Sequence, residues 1–307
     1  MSDSPTPDSR DSSHRDSTPS GYRAGTVLDA RYRLTQSLGQ TPVVESYFGT
    51  HLELGRSVCI DVLADLSLVR AFHRAARRMA SVRHPNVALV HDFGEEEGRP
   101  YLVLEDVGTN TLEDQLRVHG PFGLDAFASV GRQLLCALTY LHAKRVLHRA
   151  LATHTVFVAE SWSGDEHLKL ARFSYGAAPE ISSGQISKAA HRALLASVAN
   201  SPPERLLGEA VDHRGDLYSA GCLLYELLSG VRPFPGDDFG SVARAVVEAK
   251  PRSLLDFDRP ISPALDRAVR TALEKNPDDR YASAAEMWEV IGEATASLRA
   301  TVVPFRR

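Results

Sequence analysis

Short apolar stretches bounded by turn residues follow one another in the first third of the chain. Their β-branched and aromatic residues are typical of strands. They predict five antiparallel strands, interrupted by one basic helical segment at about residues 69–82. The predicted strands cover about residues 32–38, 43–49, 58–63, 87–93 and 101–107.

After Thr111 the apolar positions change to helical spacing. Phe127, Val130, Leu134 and Leu138 recur three or four residues apart, as on an amphipathic helix that packs on a core. Further helices are predicted at about residues 216–229, 241–248, 264–275 and 283–298. A mostly β part followed by a mostly α part predicts an α+β fold with two lobes.

Composition and charge narrow the classes of function. The 307 residues, 43% of them hydrophobic, are enough to bury a substantial core. A net charge of -4 argues against nucleic acid or a membrane surface as partner, so we expect Arg74, Arg77 and Arg78 to form one solvated helix face. The sequence contains neither a long apolar run nor a secretory signal pattern, which predicts a cytoplasmic protein. Its three cysteines are expected to be buried, reduced thiols.

The polar composition of the first residues predicts a disordered tail. Residues 1–25 are mostly Ser, Thr, Pro, Asp and Arg, and such a segment cannot offset its ordering entropy. We expect a single domain at residues 26–295, with lobes at about 26–107 and 108–295, and a short tail at 296–307. The first tail also carries candidate phosphorylation sites, which are Ser4, Thr6, Ser17, Thr18 and Ser20.

Several short motifs occur in a fixed order along the predicted domain. They lie at residues 83–86, 101–105, 147–149, 201–204, 216–221 and 279–281. With these motifs in this order, the sequence from about Tyr32 to Ile291 resembles a eukaryotic-type (Hanks-type) Ser/Thr protein kinase of the kind that bacteria also encode. The resemblance implies a two-lobed protein-kinase-like fold, with a small β-rich N-lobe and a larger helical C-lobe.

The residues that this family uses for phosphoryl transfer are replaced. That chemistry needs a Gly-rich turn, a Lys held by a Glu, two metal ligands and a carboxylate base. The resemblance places Asp61 at the Lys position, Ala75 at the Glu position and Ala150 at the base position. The metal-ligand positions carry Thr155 and Arg172.

The nucleotide-binding elements are degenerate in the same way. In the turn at residues 38–45 only Gly39 is kept, and Thr41 and Val44 put side chains where glycine lets the backbone approach phosphate. The hinge at Glu105 and Val107 is the other candidate contact for a nucleotide. We therefore expect weak or absent ATP and magnesium binding, no intact catalytic residue and no metal site.

Asp61 and Arg172 carry inverted charges at positions that face each other across the cleft in the resembling family. We predict that they form a salt bridge, because a buried acid and a buried base must pair or change their ionisation. The alternative is that the two positions changed independently and that both side chains face solvent. Other family landmarks are kept and are expected to be structural. These are Met79, His148, Arg149, Phe173, Glu204, Asp216 and Arg280.

These observations predict a pseudokinase without enzymatic activity. It would act as a signalling scaffold or allosteric regulator through protein binding, with an active kinase or a phosphopeptide-reading domain among the candidate partners. One alternative is a weak Ser/Thr protein kinase or a nucleotide-binding transferase. Another is a sensor that binds ATP without magnesium.

Overall fold

The computed structural model describes residues 21–41, 43–158, 167–174 and 195–302. Most of the predicted N-terminal tail, including all five of its candidate phosphorylation sites, lies outside these residues. So does the end of the predicted C-terminal tail, from residue 303 onward.

An antiparallel sheet of six strands forms the small lobe, in the order β1-β2-β3-β4-β6-β5. Five of its strands follow the predicted ones, whereas β1 was not predicted. The strand predicted from residue 87 begins only at Val90. Val87 instead forms an isolated parallel β-bridge with Leu170 of the large lobe. The strands are β1 Val27–Leu28, β2 Tyr32–Gln40, β3 Val44–His51, β4 Arg56–Leu63, β5 Val90–Glu96 and β6 Arg99–Glu105.

Helices form most of the large lobe, and one further helix, α1, crosses the small lobe. A short pair of strands, β7 Val156–Phe157 and β8 Lys169–Leu170, lies beneath the cleft. The helices whose ends are both described are α1 Val69–Met79, α2 Leu112–His119, α3 Leu124–Ala143, α4 Pro203–Leu206, α5 His213–Ser229, α6 Phe239–Glu248, α7 Pro263–Ala272 and α8 Ala284–Val302. Short 3-10 turns lie at Leu66–Leu68, Thr153–Thr155, Leu254–Asp256 and Pro277–Asp279.

One apolar core connects the two lobes. Phe72 and Met79 of α1 belong to the same buried cluster as Phe127 of α3 and Leu217 of α5. A second, smaller cluster lies on the other side of the small-lobe sheet. The two-lobed α+β fold predicted from the sequence is confirmed, and its cleft runs between the sheet and the loops that follow α3.

The three cysteines do not share one environment. Cys222 on α5 is buried, Cys59 on β4 is half-buried and Cys136 is exposed, so the prediction of three buried thiols is wrong for Cys136. On α3 the neighbours Leu135 and Ala137 point into the core, which leaves position 136 on the outer face. Within the described residues, no helix is long and apolar enough to span a bilayer.

Candidate functional site: the cleft between the lobes

The turn between β2 and β3 uses its own polar groups internally. Gly39 adopts a positive φ of 125°, a conformation that glycine reaches without strain. The hydroxyl of Thr41 accepts a hydrogen bond from the Val44 N–H at 3.0 Å and lies 3.1 Å from the Val44 carbonyl. The Thr41 N–H donates to that same carbonyl at 2.8 Å. Several backbone N–H groups of this turn are therefore already bound within the turn.

Asp61 lies on β4 in the middle of the sheet and is only 5% exposed. The Ser46 hydroxyl of the neighbouring strand donates to its Oδ1 at 2.5 Å, across a register in which the two residues are directly paired. Ala75, at the position of the expected partner, is half-buried on α1. A carboxylate thus lies on the small-lobe side of the cleft, and its Ser46 partner comes from the sheet itself.

Thr155 closes the loop that follows α3. Its hydroxyl accepts from the Ala152 N–H at 3.0 Å and lies 3.1 and 3.0 Å from the carbonyl oxygens of Ala150 and Ala152. The residue is 3% exposed. The side chain of Ala150 is only a methyl group, which offers the cleft no polar atom. The hydroxyl of Thr155 is therefore bound to its own loop.

Arg172 follows β8 with its side chain exposed. Its guanidinium carbon lies 5.1 Å from the ring centroid of Phe157, a cation–π contact. Burial, together with the positive charge of Arg172, lowers the pKa of His154 in the loop below to about 4. The salt bridge between Asp61 and Arg172 stays a prediction.

The two arginines of the cleft share a backbone feature. Arg172 has a φ of 56° and Arg149 a φ of 62°, in the left-handed region that non-glycine residues seldom occupy. The Arg149 carbonyl accepts a hydrogen bond from the Arg205 guanidinium, and burial followed by the charge of Arg149 lowers the pKa of Arg205. Sequence reasoning found both arginines but not this backbone conformation.

His148, Phe173 and Asp216 form a support beneath the cleft. The rings of His148 and Phe173 stack with centroids 4.2 Å apart. One carboxylate, that of Asp216, accepts the N–H of His148 at 2.9 Å and the N–H of Arg149 at 2.8 Å. Met79 is buried in the same apolar cluster as Phe173. The structure thus brings four of the predicted structural residues together around one loop, and the fifth, Met79, shares their apolar core.

Burial and hydrogen bonding set the ionisation of this support. Complete burial lowers the pKa of His148 to about 4, although the carboxylate of Asp216 acts in the opposite direction. Burial alone would raise the pKa of Asp216, but the hydrogen bond and charge of His142, 3.0 Å away, lower it below its usual range. The neutral imidazole and the charged carboxylate therefore coexist in the core.

Glu204 and Arg280 form a buried, bidentate ion pair. The two guanidinium Nη atoms lie 2.9 and 2.8 Å from the two carboxylate oxygens, and the side chains are 4% and 0% exposed. This pair ties α4 to the segment that precedes α8. Two parallel charge-assisted bonds fix both distance and orientation.

The hinge side of the cleft contains a feature that the sequence did not indicate. A cavity of about 440 Å³ lies between strands β2 and β3 and the hinge, and Phe48, Thr50, Asp106 and Asn110 are among its lining residues. Val107 of the hinge packs on the small apolar cluster that contains Phe157.

Glu105, the other hinge residue, is engaged by its surroundings. It accepts the Leu89 N–H at 3.1 Å and forms a salt bridge of 2.9 Å with Lys169. Across the described part of the chain, no cluster of three or more His, Cys, Asp or Glu side chains has the arrangement of a metal site.

The fold and the order of these elements define a protein kinase domain. The family model "Protein kinase domain" matches residues 32–290, and the chain therefore belongs to the Hanks-type bacterial Ser/Thr protein kinase family.

Three relatives illustrate the similarity. A probable serine/threonine-protein kinase of Streptomyces coelicolor is 33% identical and covers 85% of this chain. The serine/threonine-protein kinases PknB of Mycolicibacterium smegmatis and Mycobacterium tuberculosis are 33% and 34% identical over the same share. The matched region is 39% of the Streptomyces relative and 42% of the other two, so this chain matches about two fifths of the length of these relatives.

The comparisons contradict the prediction that the chain is not an enzyme. The family and each of these relatives are named as protein kinases, an enzyme class, and the similarity extends over most of the chain. The prediction gave weight to a few substituted positions, such as Ala150 and Arg172, whereas the family resemblance is carried by the whole domain. The family points to an enzyme.

Proposed function

We propose that this kinase-family domain acts in cytoplasmic signalling mainly by binding other proteins, as a scaffold or an allosteric regulator. One observation carries the proposal. The polar groups at the phosphate and metal positions are held by internal contacts, as Thr155 is by its own loop, while the supports that fix the domain shape, such as Glu204 with Arg280, are complete.

We further propose that ATP and magnesium bind weakly or not at all. Mg²⁺ prefers carboxylate oxygens and phosphates in octahedral geometry, and the positions expected to supply its ligands carry Thr155 and Arg172. A triphosphate near Asp61 would meet a like charge, and two such charges about 4 Å apart repel by about 4 kcal/mol at an effective dielectric near 20. The residues present do not fit a metal-bound triphosphate held in the manner of the family.

Thermal-shift titration with ATP, with and without magnesium, tests this proposal. We expect little stabilisation of the wild-type chain, since a ligand stabilises only at concentrations near or above its Kd. The double variant Asp61→Lys/Arg172→Asp restores the family charges and should gain stabilisation by ATP with magnesium. Glu289→Lys/Arg267→Asp makes the same exchange at exposed positions outside the cleft and should behave as wild type. Strong stabilisation of the wild-type chain by ATP with magnesium, equal to that of the double variant, would reject the proposal.

Proteins are the proposed partners, and an active kinase of the same family is the first to test. Adding the full chain to such a kinase should change its rate of substrate phosphorylation in proportion to the amount added. An unchanged rate at every molar ratio would remove active kinases from the candidates and leave phosphopeptide-reading domains. Neither nucleic acid nor a membrane surface is proposed as a partner, because the net charge is -4.

A weak Ser/Thr protein kinase is the second candidate, favoured by the names of the relatives. The test is mass spectrometry of protein substrates after incubation with ATP, searching for transferred phosphate and for AMP. Phosphate that appears with the wild-type chain and disappears when the cleft is blocked would establish this candidate. Stabilisation by ATP only in the absence of magnesium would instead indicate a nucleotide sensor.

A further inference from the structure

The outer face of α1 is a stripe of exposed arginines. Arg70, Arg74, Arg77 and Arg78 recur at spacings of three and four residues, which places them on one side of a helix. The residues that pack on the sheet and core, among them Phe72, lie on the opposite side. All four arginines are exposed. We call these four residues the arginine face.

No acidic residue neutralises this stripe locally. Between Leu66 and His91 the sequence contains five arginines and three histidines but no Asp or Glu. None of the salt bridges among the described residues involves a side chain of the arginine face. The chain as a whole carries a net charge of -4, so positive charge is concentrated on this helix.

Exposed like charges on one helix face repel each other weakly, and an acidic cover would relieve that repulsion. Like charges four residues apart on a helix repel each other, as Arg70 does with Arg74 and Arg74 with Arg78. A negatively charged segment lying along the helix would relieve that repulsion and gain charge-assisted hydrogen bonds from guanidinium groups. Charge complementarity therefore points to an acidic occupant.

The first 20 residues of the chain have the required charge. They contain four Asp and two Arg, and nine of the 20 are Ser or Thr. Each phosphorylated Ser or Thr would add a charge of about -1.5 to -2 and three strong acceptor oxygens. The segment is acidic as it stands and can become strongly acidic by modification.

The described chain begins on the small lobe, where Tyr22 packs on the smaller cluster, at the other side of the sheet from α1. The Arg99 guanidinium lies over the Tyr22 ring at 4.9 Å, and its Nε donates to the Leu63 carbonyl at 3.2 Å. Leu63 precedes the first residue of α1 by only six positions. Twenty extended residues span up to about 66–72 Å, whereas the eleven residues of α1 rise only about 16 Å. The segment can reach the whole arginine face from its anchor at Tyr22.

We propose that the acidic segment at residues 2–20 docks on the arginine face of α1, and that phosphorylation of its Ser and Thr residues strengthens the contact. Because the segment is joined to the domain, its effective concentration at the helix is high and modest affinity is enough. The docked segment would cover the arginine face against acidic protein partners. This inference goes beyond the proposed function and does not depend on it.

The test is NMR of the full chain labelled with ¹⁵N, following the amide resonances of residues 2–20. In the double variant Arg74→Gln/Arg78→Gln these resonances should shift relative to wild type. Raising the salt concentration from about 0.1 M to about 1 M shortens the Debye length from about 10 Å to about 3 Å and should cause the same shift. Arg244→Gln/Arg267→Gln removes equal charge from exposed positions on two other helices and should leave the resonances unchanged.

Phosphorylation and competition complete the experiment. The phosphorylated chain should require more salt for the same shift, and an excess of an unlinked phosphorylated peptide of residues 1–20 should displace the linked segment. Identical resonances in both double variants, with circular dichroism showing that each is folded, would overturn the proposal. It would also be overturned if the free peptide bound the arginine face while the linked segment never responded, because the surface would then serve an acidic partner in trans.

Discussion

Neutralising Glu204 tests how much the buried ion pair contributes to the large lobe. The variant Glu204→Gln keeps the size of the side chain but sets an amide NH₂ against one of the guanidinium Nη groups of Arg280. In the variant two hydrogen-bond donors face each other where the wild-type protein has a hydrogen bond of 2.8 or 2.9 Å. The guanidinium is fully buried, and its other hydrogen bonds go to the carbonyls of Arg214, Glu274 and Lys275.

Removing one partner of a buried pair costs about 3–5 kcal/mol, because the other charge is left uncompensated. Arg280 keeps its backbone acceptors, so we expect a loss of about 3 kcal/mol, at the lower end of that range. The total free energy of unfolding of a domain is only about 5–15 kcal/mol. For a domain of this size the loss corresponds to a fall in Tm of roughly 6–12 °C.

Urea unfolding of the full chain, followed by circular dichroism, measures this loss, and Arg117→Gln is the matched control. The Arg117–Asp114 pair is even shorter, at 2.6 Å, but Arg117 is 72% exposed, and exposed pairs contribute about 0.2–1 kcal/mol. Glu204→Gln should therefore shift the unfolding midpoint several times more than Arg117→Gln. If both variants shift it equally, burial does not set the strength of this pair and the reasoning fails.

Three further predictions concern the cleft. Thr155→Val should lose about 1–3 kcal/mol, measured by urea unfolding, because the Ala152 N–H and the Ala150 and Ala152 carbonyls lose their buried partner; an unchanged midpoint would contradict this. If Asp61 and Arg172 form a salt bridge, a double-mutant cycle with Asp61→Asn and Arg172→Gln should give a coupling energy of about 0.5–3 kcal/mol in the free energy of unfolding. A coupling energy of zero would show that the two side chains do not interact. The pKa of His148 is lowered to about 4, so between about pH 6.5 and pH 4 the unfolded state binds more protons than the folded state. The free energy of unfolding should therefore fall as the pH decreases through that window. An NMR titration of His148 with a midpoint near 6.5 would refute this cause.

The fold was largely readable because its strongest signals are local. The helix α5 ends at Ser229 and is capped by Gly230, which has a φ of 80°, as glycine after an apolar helical run predicts. The helix α2 was missed, although Thr111 and Asp114 form a capping box at its start. Its eight residues are mostly polar, and packing against the large lobe, rather than periodicity, stabilises such a short helix.

The positions of the cleft residues were readable, but their contacts were not. The resemblance to the kinase family located Asp61, Thr155 and Arg172, since each stands at a set position within one of the family motifs. Whether a hydroxyl such as that of Thr41 or Thr155 faces the cleft or its own loop depends on the loop conformation, which no pattern of residue types specifies. The hinge cavity is likewise formed by segments distant in sequence, around Phe48 and Asp106.

The left-handed residues connect this framework to the proposed binding role. A left-handed conformation costs a non-glycine residue roughly 1–2 kcal/mol, and it persists only where the surrounding structure determines it. At Arg149 the N–H is held by Asp216 at 2.8 Å, and on either side of Arg172 the N–H groups of Ala171 and Ser174 donate to the carbonyls of Thr155 and His148 at 3.1 Å. The acceptors of these bonds are backbone carbonyls and the carboxylate of Asp216, which lies beneath the cleft. The backbone that lines the cleft is therefore held in place independently of the side chains that line it. The domain therefore presents a defined kinase-shaped surface through its backbone even where the cleft side chains have changed, and a rigid surface of this kind suits recognition by another protein.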